Sequence, residues 1–428
     1  MHKTIAIEQV TLGMYVVGLD RSWFQTPFLK HQWLLKREED LARLKAYGIS
    51  RVTIDPSRGL DVETAGATPD APAAQPAAAP EPPPPPAAAP LRNDEAFQAR
   101  FEEEVEQARN VRSDARLAVE RIFSGIKTGA PLDSPAIRAV VTTVLDRLTD
   151  NPVAMLTLTQ LEQMMRLDTD LLAHAVDVCI FSLIVGRAQG MDDGSLEQLG
   201  MGALLHDIGE TRLPQNLLHK PGRLREQDLA LLRLHPRIGL AILSGAGPLP
   251  PIARAVIAEH HERLDGSGYP DGLKGSRIAL SSQIVGLVDN YDAMASNRGG
   301  RPPLSPDQSV RQLFQLGLKH QYDRTLVELL IQCLGVYPFG SLVELSTGER
   351  AVVYAVNPAE RLRPCVKLIA DSHGHPYPEP RLVDLAEART DEPARTILRV
   401  LDASVEHVDV LRYCKASTTL PLTAATWN

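Results

Sequence analysis

The sequence predicts a mainly α protein, with an all-helical central domain set between a small α+β N-terminal module and a small β-rich C-terminal extension. Three observations predict it. The stretch from Ala65 to Pro90, containing APAAQPAAAPEPPPPPAAAP, has almost no large apolar side chain to bury and favours extended polyproline backbone, so it reads as a linker. From Asn93 to about Leu334 the apolar residues recur at helical spacing. After Tyr337 the period changes to the alternation of strands.

Taken in order, the chain divides into a module at 1–63, a linker at 64–92, a helical connector at 93–150, a helical domain carrying the chemistry at 151–335 and a β-rich extension at 336–428. At 428 residues it exceeds a single domain of ~100–200 residues. In the module, Met14–Val17 and Arg51–Ile54 read as strands and Glu38–Leu44 as a helix closed by Gly48. Glu95 to Arg121 is so rich in Glu and Arg that an exposed connecting helix is expected. Ser195-Leu-Glu-Gln198 and Ser305-Pro-Asp-Gln308 read as capping boxes, the second with proline at the first helical position. In the extension, Ser341–Leu345, Thr347-Gly348 and Ala351–Val356 predict a hairpin.

Composition excludes some partners. With 53 acidic and 45 basic residues the net charge is -8, which argues against a general nucleic-acid partner and requires locally placed cations for an anionic substrate. The four cysteines are far apart and form no CxxC pair, so neither a disulfide framework nor a thiolate metal site is expected. The first residues lack a charged start followed by an apolar stretch, and no later apolar run approaches the ~20 residues that span a bilayer. A cytoplasmic protein without membrane insertion is expected.

Five of the 12 histidines, His174, His206, His235, His260 and His261, fall within one helical stretch. Neutral imidazoles and carboxylates are natural ligands for divalent cations. His206 and Asp207 follow the apolar run Met201-Gly-Ala-Leu-Leu, and Gly209 offers a helix stop. A carboxylate can bridge two ions ~3.5–4 Å apart, and Asp207 is the candidate bridge. On a helix, adjacent His260 and His261 would diverge by roughly 100°, suiting two different ions. His235 before Pro236 is placed where a helix begins. Asp289 and Asp292 lie three apart on an otherwise apolar helix, Asp289 as a ligand and Asp292 as its support. Asp170, four residues before His174, is a candidate eighth ligand or a helix N-terminal acid. His2, His31, His219, His320, His373, His375 and His407 receive ordinary surface or hydrogen-bonding roles.

Leu204-Leu-His-Asp-Ile-Gly and His260-His-Glu-Arg-Leu-Asp-Gly-Ser-Gly-Tyr-Pro-Asp-Gly-Leu-Lys-Gly resemble the two signatures of HD-GYP domains. The resemblance spans roughly 167–334 and includes Lys220-Pro-Gly-Arg-Leu and His235-Pro-Arg-Ile-Gly; Gly13-Met-Tyr-Val, with Ser22-Trp-Phe and Pro27-Phe28, resembles a small module fused ahead of such domains. It implies an HD-type phosphohydrolase fold holding two or three iron or manganese ions and hydrolysing cyclic di-GMP to pGpG or GMP. The implied ligands are His174, His206, Asp207, His235, His260, His261 and Asp289, with His206 and Asp207 also catalytic. Asp170 stands where three-metal members carry glutamate. Arg298 and Arg301 match positions that contact substrate phosphate, whereas Glu210 stands where many members have lysine. Tyr269 is expected to touch substrate or, through its loop, a diguanylate cyclase. A homodimer is compatible with the family. The rival expectations are a catalytically weak cyclic di-GMP sensor and an HD phosphohydrolase for another nucleotide.

Overall fold

The computed structural model describes residues 3–19, 33–35, 41, 44–45, 49–60, 95–166, 170–218, 220, 222, 224–296, 303–387 and 394–414. The chain separates into two compact units, Met1–Pro90 with Ala359–Leu362, and the remainder.

In the first unit, strands β1 (Lys3–Ala6), β2 (Tyr15–Leu19), β3 (Trp33–Leu34) and β4 (Arg51–Ile54) form an antiparallel sheet of order β1-β4-β2-β3. Met14, Val16, Leu35, Val52 and Ile54 are wholly buried together, so the alternating apolar positions of β2 and β4 make this core. Most of the helical pattern at 38–44, and the segment from Ser22 to Phe28, lie outside the described residues.

The second unit begins with α1 (Glu95–Lys127), α2 (Ser134–Asp150), α3 (Pro152–Met165), α4 (Leu171–Ala188) and α5 (Asp193–Leu205). It continues through α6 (Gln215–Leu218), α7 (Glu226–Leu232), α8 (His235–Ala246), α9 (Pro251–Glu259), α10 (Leu280–Ala295), α11 (Pro306–Leu318) and α12 (Arg324–Leu334). Side-chain caps fix the starts: Asp133, Asn151 and Asp192 accept amides of α2, α3 and α5. The Ser305–Gln308 capping box forms as expected, with Pro306 in the first turn. The one expected at Ser195 does not, because Asp192 starts that helix earlier and accepts from Ser195 N.

Helix α4 is buried on nearly every face, and α1, α5 and α10 pack around it. The exposed connector expected at Glu95 is instead part of this core. Phe101, Val105, Ala108, Ala115, Val119, Ile122 and Ile126 are buried at helical spacing, which leaves the charges of α1 for its opposite face.

Two helical stretches are long and apolar enough by composition to cross a membrane, which the sequence reading did not anticipate. Leu171–Ala188 is 72% buried inside the fold, where its apolarity serves the core. The other, Glu226–Ala246, contains a turn before His235.

Strands β5 (Leu342–Leu345), β6 (Arg350–Ala355), β7 (Cys365–Ala370), β8 (Pro376–Asp384) and β9 (Ile397–Leu401) form an antiparallel sheet of order β8-β7-β6-β5-β9, followed by α13 (Val410–Cys414). The expected hairpin is β5–β6, and its apolar positions Val343, Leu345, Ala351 and Val353 meet Val366 and Leu368 of β7 in a core of their own.

Candidate metal centre

Five elements bring the predicted ligands together. His174 projects from the first turn of α4, and His206 and Asp207 follow the last residue of α5. His235 opens α8 with Pro236 behind it, as its sequence suggested. His260 caps α9, and Asp289 lies in α10. His174, His206, Asp207, His235, His260 and Asp289 are all buried, and His261 is partly so.

Their ligand atoms form two groups that share Asp207: His174, His206, Asp207 and Asp289 in one, Asp207, His235, His260 and His261 in the other. The two oxygens of Asp207 divide between them. Oδ2 lies 3.3 Å from His206 Nε2 and 3.6 Å from His174 Nε2, while Oδ1 lies 3.2 Å from His235 Nε2 and 3.5 Å from His260 Nε2. Asp289 reaches His174 Nε2 at 3.3 Å and His261 Nδ1 at 3.8 Å.

The chemistry of this donor set fits cations. His206, His235 and His260 each direct Nδ1 at a backbone carbonyl, of Ala203, Leu232 and Val256 at 2.8, 2.9 and 3.0 Å, and His174 directs Nδ1 at Asp292 Oδ2 at 2.6 Å. These partners only accept, so in the neutral imidazole that metal ligation requires they assign the proton to Nδ1 and leave a lone pair on Nε2. Yet Nε2 of His174 and His206 are 3.2 Å apart, and so are Nε2 of His235 and His260. Facing lone pairs repel; a positive charge held between each pair would turn that repulsion into ligation. Burial pushes His260 down to about 4 and His261 well below its ordinary value, so both rings are neutral, as metal ligation requires. Burial alone would also lower His235, but its contact with Asp207 and the charge of Glu210 leave it raised.

Glycines allow the elements to approach. A Cβ on Gly286 would lie 2.0 Å from the His260 carbonyl oxygen, and one on Gly209 would lie 2.0 Å from that of His235. Gly209 is therefore not a helix stop. Leu205 ends α5, and Gly209 sits in a following 3-10 turn, Ile208–Arg212, where close backbone approach excludes a side chain.

The geometry bears on two expectations. His260 and His261 fall in one group rather than serving two, because α9 ends at Glu259 and the helical divergence no longer applies; their ring centroids are 4.2 Å apart. Asp170 lies outside both groups: its Oδ1 caps α4 by accepting from Leu172 N and Ala173 N, and its Oδ2 takes Arg116 at 2.9 Å. Burial opposes ionisation there, but these contacts keep its pKa below the usual carboxylate value.

Asp292 stands behind His174, wholly buried, and also accepts from Gln163 Nε2 at 2.6 Å and Arg166 Nη1 at 3.2 Å. Burial opposes its charge, yet His174 and Arg166 hold it well below the usual carboxylate range. Sequence reasoning missed Gln163, Arg166 and Asp177, the last a wholly buried acid bound by Arg166 and Arg112. An acid inside the apolar α4 was the available signal for Asp177.

At the rim, Tyr269 stacks on His261 with centroids 4.5 Å apart and 25° between planes, and the Arg233 guanidinium lies 5.5 Å from the Tyr269 ring centroid. The loop bearing Tyr269 is tied down by buried Glu262, which accepts from Asp271 N at 2.7 Å and Leu273 N at 2.9 Å. Glu210 follows Asp207 in the 3-10 turn, half-buried. Arg298 and Arg301 lie outside the described residues. A third grouping, Asp371, His373 and His375, sits on the exposed β7–β8 turn, where Asp371 Oδ1 accepts the amides of both histidines.

Residues 146–326 match the HD domain model, residues 342–403 a KOW domain associated with HD domain, and residues 2–136 a domain of unknown function, DUF3391. The chain is 31% identical over 390 residues to a Pseudomonas aeruginosa protein named cyclic di-GMP phosphodiesterase, covering 91% of this chain and 90% of that one. It is 32% identical over 161 residues to the 3'3'-cGAMP-specific phosphodiesterase 2 of Vibrio cholerae, covering 37% of this chain and 31% of that one. It is 36% identical over 132 residues to the cyclic di-GMP phosphodiesterase response regulator RpfG of Xanthomonas campestris, covering 31% of this chain and 35% of that one. With the HD model seated on the helices that carry the histidines, and one relative aligned over nine-tenths of both chains, the chain belongs to the HD-GYP family.

Proposed function

We propose that the chain is a metal-dependent phosphodiesterase that hydrolyses cyclic di-GMP to pGpG or GMP in the cytoplasm. The observation that carries this reading is the two-sided donor set around Asp207, in which opposed Nε2 lone pairs call for a cation on each side. His174, His206 and Asp289 would hold one ion, His235, His260 and His261 the other, with Asp207 shared. Iron or manganese suits these ligands. Such ions supply an activated water near neutral pH and neutralise charge on the phosphate oxygens.

The remaining work falls to the chain itself. The Nδ1–H bonds to carbonyls and to Asp292 hold each ring in one tautomer and one orientation. Tyr269, stacked on His261, offers a flat face at the rim for a guanine base or for a partner such as a diguanylate cyclase. Arg298 and Arg301 would fork onto the substrate phosphates, as a planar guanidinium does well. Glu210 removes a cation where many family members have one, so slower turnover than theirs is part of the proposal. Asp170, already engaged by its cap and Arg116, supports two ions rather than three.

A second reading, hydrolysis of 3'3'-cGAMP, is favoured by the Vibrio cholerae relative. Anaerobically purified protein should release pGpG or GMP from cyclic di-GMP faster than it cleaves 3'3'-cGAMP, and the Asp207→Ala variant, which removes the carboxylate shared by both donor groups, should bind fewer ions and fall to background turnover. Equal turnover by Asp207→Ala, or preference for 3'3'-cGAMP, would overturn the respective half of the proposal.

A further inference from the structure

We infer that Arg166 and Arg112 are positioning residues for the His174 ligand, acting through Asp292 and Asp177 so that α1 sets the aim of one side of the metal centre. The inference rests on the metal-centre reading above and assigns residues that lie beyond the ligands.

His206, His235 and His260 each rest on a backbone carbonyl three or four residues earlier in the chain, so local backbone orients them. His174 differs. Its Nδ1 rests on Asp292, a side chain of α10, which can swing unless something holds it. Gln163 of α3 donates to one Asp292 oxygen and Arg166, directly after α3, to the other. Arg166 is held in turn by Asp177 of α4, and Arg112 of α1 closes the far side of Asp177 with Nε at 2.8 Å from Oδ1 and Nη2 at 3.2 Å from Oδ2. That fork fixes the plane of the Asp177 carboxylate.

Burial makes the arrangement strict. The side chains of Asp177 and Asp292 are both 0% exposed, and those of Arg166 and Arg112 are 7% and 11% exposed. Two buried anions against two buried cations leave no member able to turn away without stranding a charge in the core. His174 therefore receives its orientation from a chain of side chains spanning four helices, and the His235–His260 side of the centre receives none of it.

This asymmetry gives the test. The full chain, stripped with a chelator and titrated with Mn2+, should bind two ions. Arg112→Gln should keep one affinity unchanged and weaken the other roughly 10- to 100-fold, the range for loss of such an outer partner. Arg138→Gln, which breaks only the exposed pair with Glu197, should change neither. If Arg112→Gln loses its far-ultraviolet helical signal, the charge-balanced Arg112→Met/Asp177→Leu variant, which leaves Arg166 paired with Asp292, takes its place with the same expectation. Two unchanged affinities, or two that weaken alike, overturn the inference while leaving the metal centre standing. Failure of both variants to fold would assign the network to the fold and overturn it too. An unaltered chain that binds no Mn2+ overturns the metal centre, and this inference with it.

Discussion

The Gly286→Ala variant probes how closely α10 must lie against the end of α9. The added Cβ would sit 2.0 Å from the His260 carbonyl oxygen, whereas ordinary van der Waals contact begins at 3.4 Å, so the two backbones must part by 1.4 Å. No flexible side chain can yield instead, because both sides of the contact are backbone. Asp289 is three residues further along the same helix and moves with it, while His260 sits on the other side of the contact. Metal–ligand distances tolerate about 0.2 Å. A displacement several times larger should therefore separate Asp289 from the group it shares with Asp207, and a misplacement of about 1 Å costs roughly 100-fold in rate. Overpacking should also remove about 1–3 kcal/mol of stability. Thermal unfolding, Mn2+ titration and cyclic di-GMP turnover measure all three effects. A variant with unchanged Mn2+ affinity and turnover would show that the glycine contact does not place Asp289.

Two further outcomes follow from the same geometry. Asp170→Ala should lose about 0.5–2 kcal/mol with the cap of α4, yet bind as many ions as the unaltered protein; loss of an ion would make Asp170 a ligand after all. In metal-free protein, burial holds His260 at about 4, below its ordinary 6.5. The unfolded chain then takes up that proton first as pH falls, so this contribution is complete above about 6.5 and is lost towards about 4. Melting temperatures should fall between pH 7.5 and 5, less steeply for His260→Gln; parallel slopes would refute the assignment.

The histidines and Asp207 were legible because few reasons exist to place imidazoles and an acid beside apolar helical runs. The helices that carry or precede them were legible from period alone. What sequence could not show was whatever depends on where helices end and meet. His260 and His261 follow the end of α9 rather than lying in it, so an argument from helical divergence assigned them to different ions. Glycines 209 and 286 look like a stop and a helix interior, but each is required by a carbonyl from another element. Arg112 belongs to a charged stretch typical of surfaces, and only the folded packing of α1 against α4 reveals that it serves a buried acid. The charge of α1 suggested exposure for the same reason: the apolar stripe that decides its burial is the minority of its residues.

The Glu262 carboxylate ties the loop after the histidine pair to itself through two backbone amides before any ligand arrives. The conformational entropy of that loop is thus lost during folding, not on association. A ligand meeting Tyr269 would encounter a surface already set, and discrimination among cyclic dinucleotides would then rest on shape and charge at the rim rather than on a closing movement of this loop.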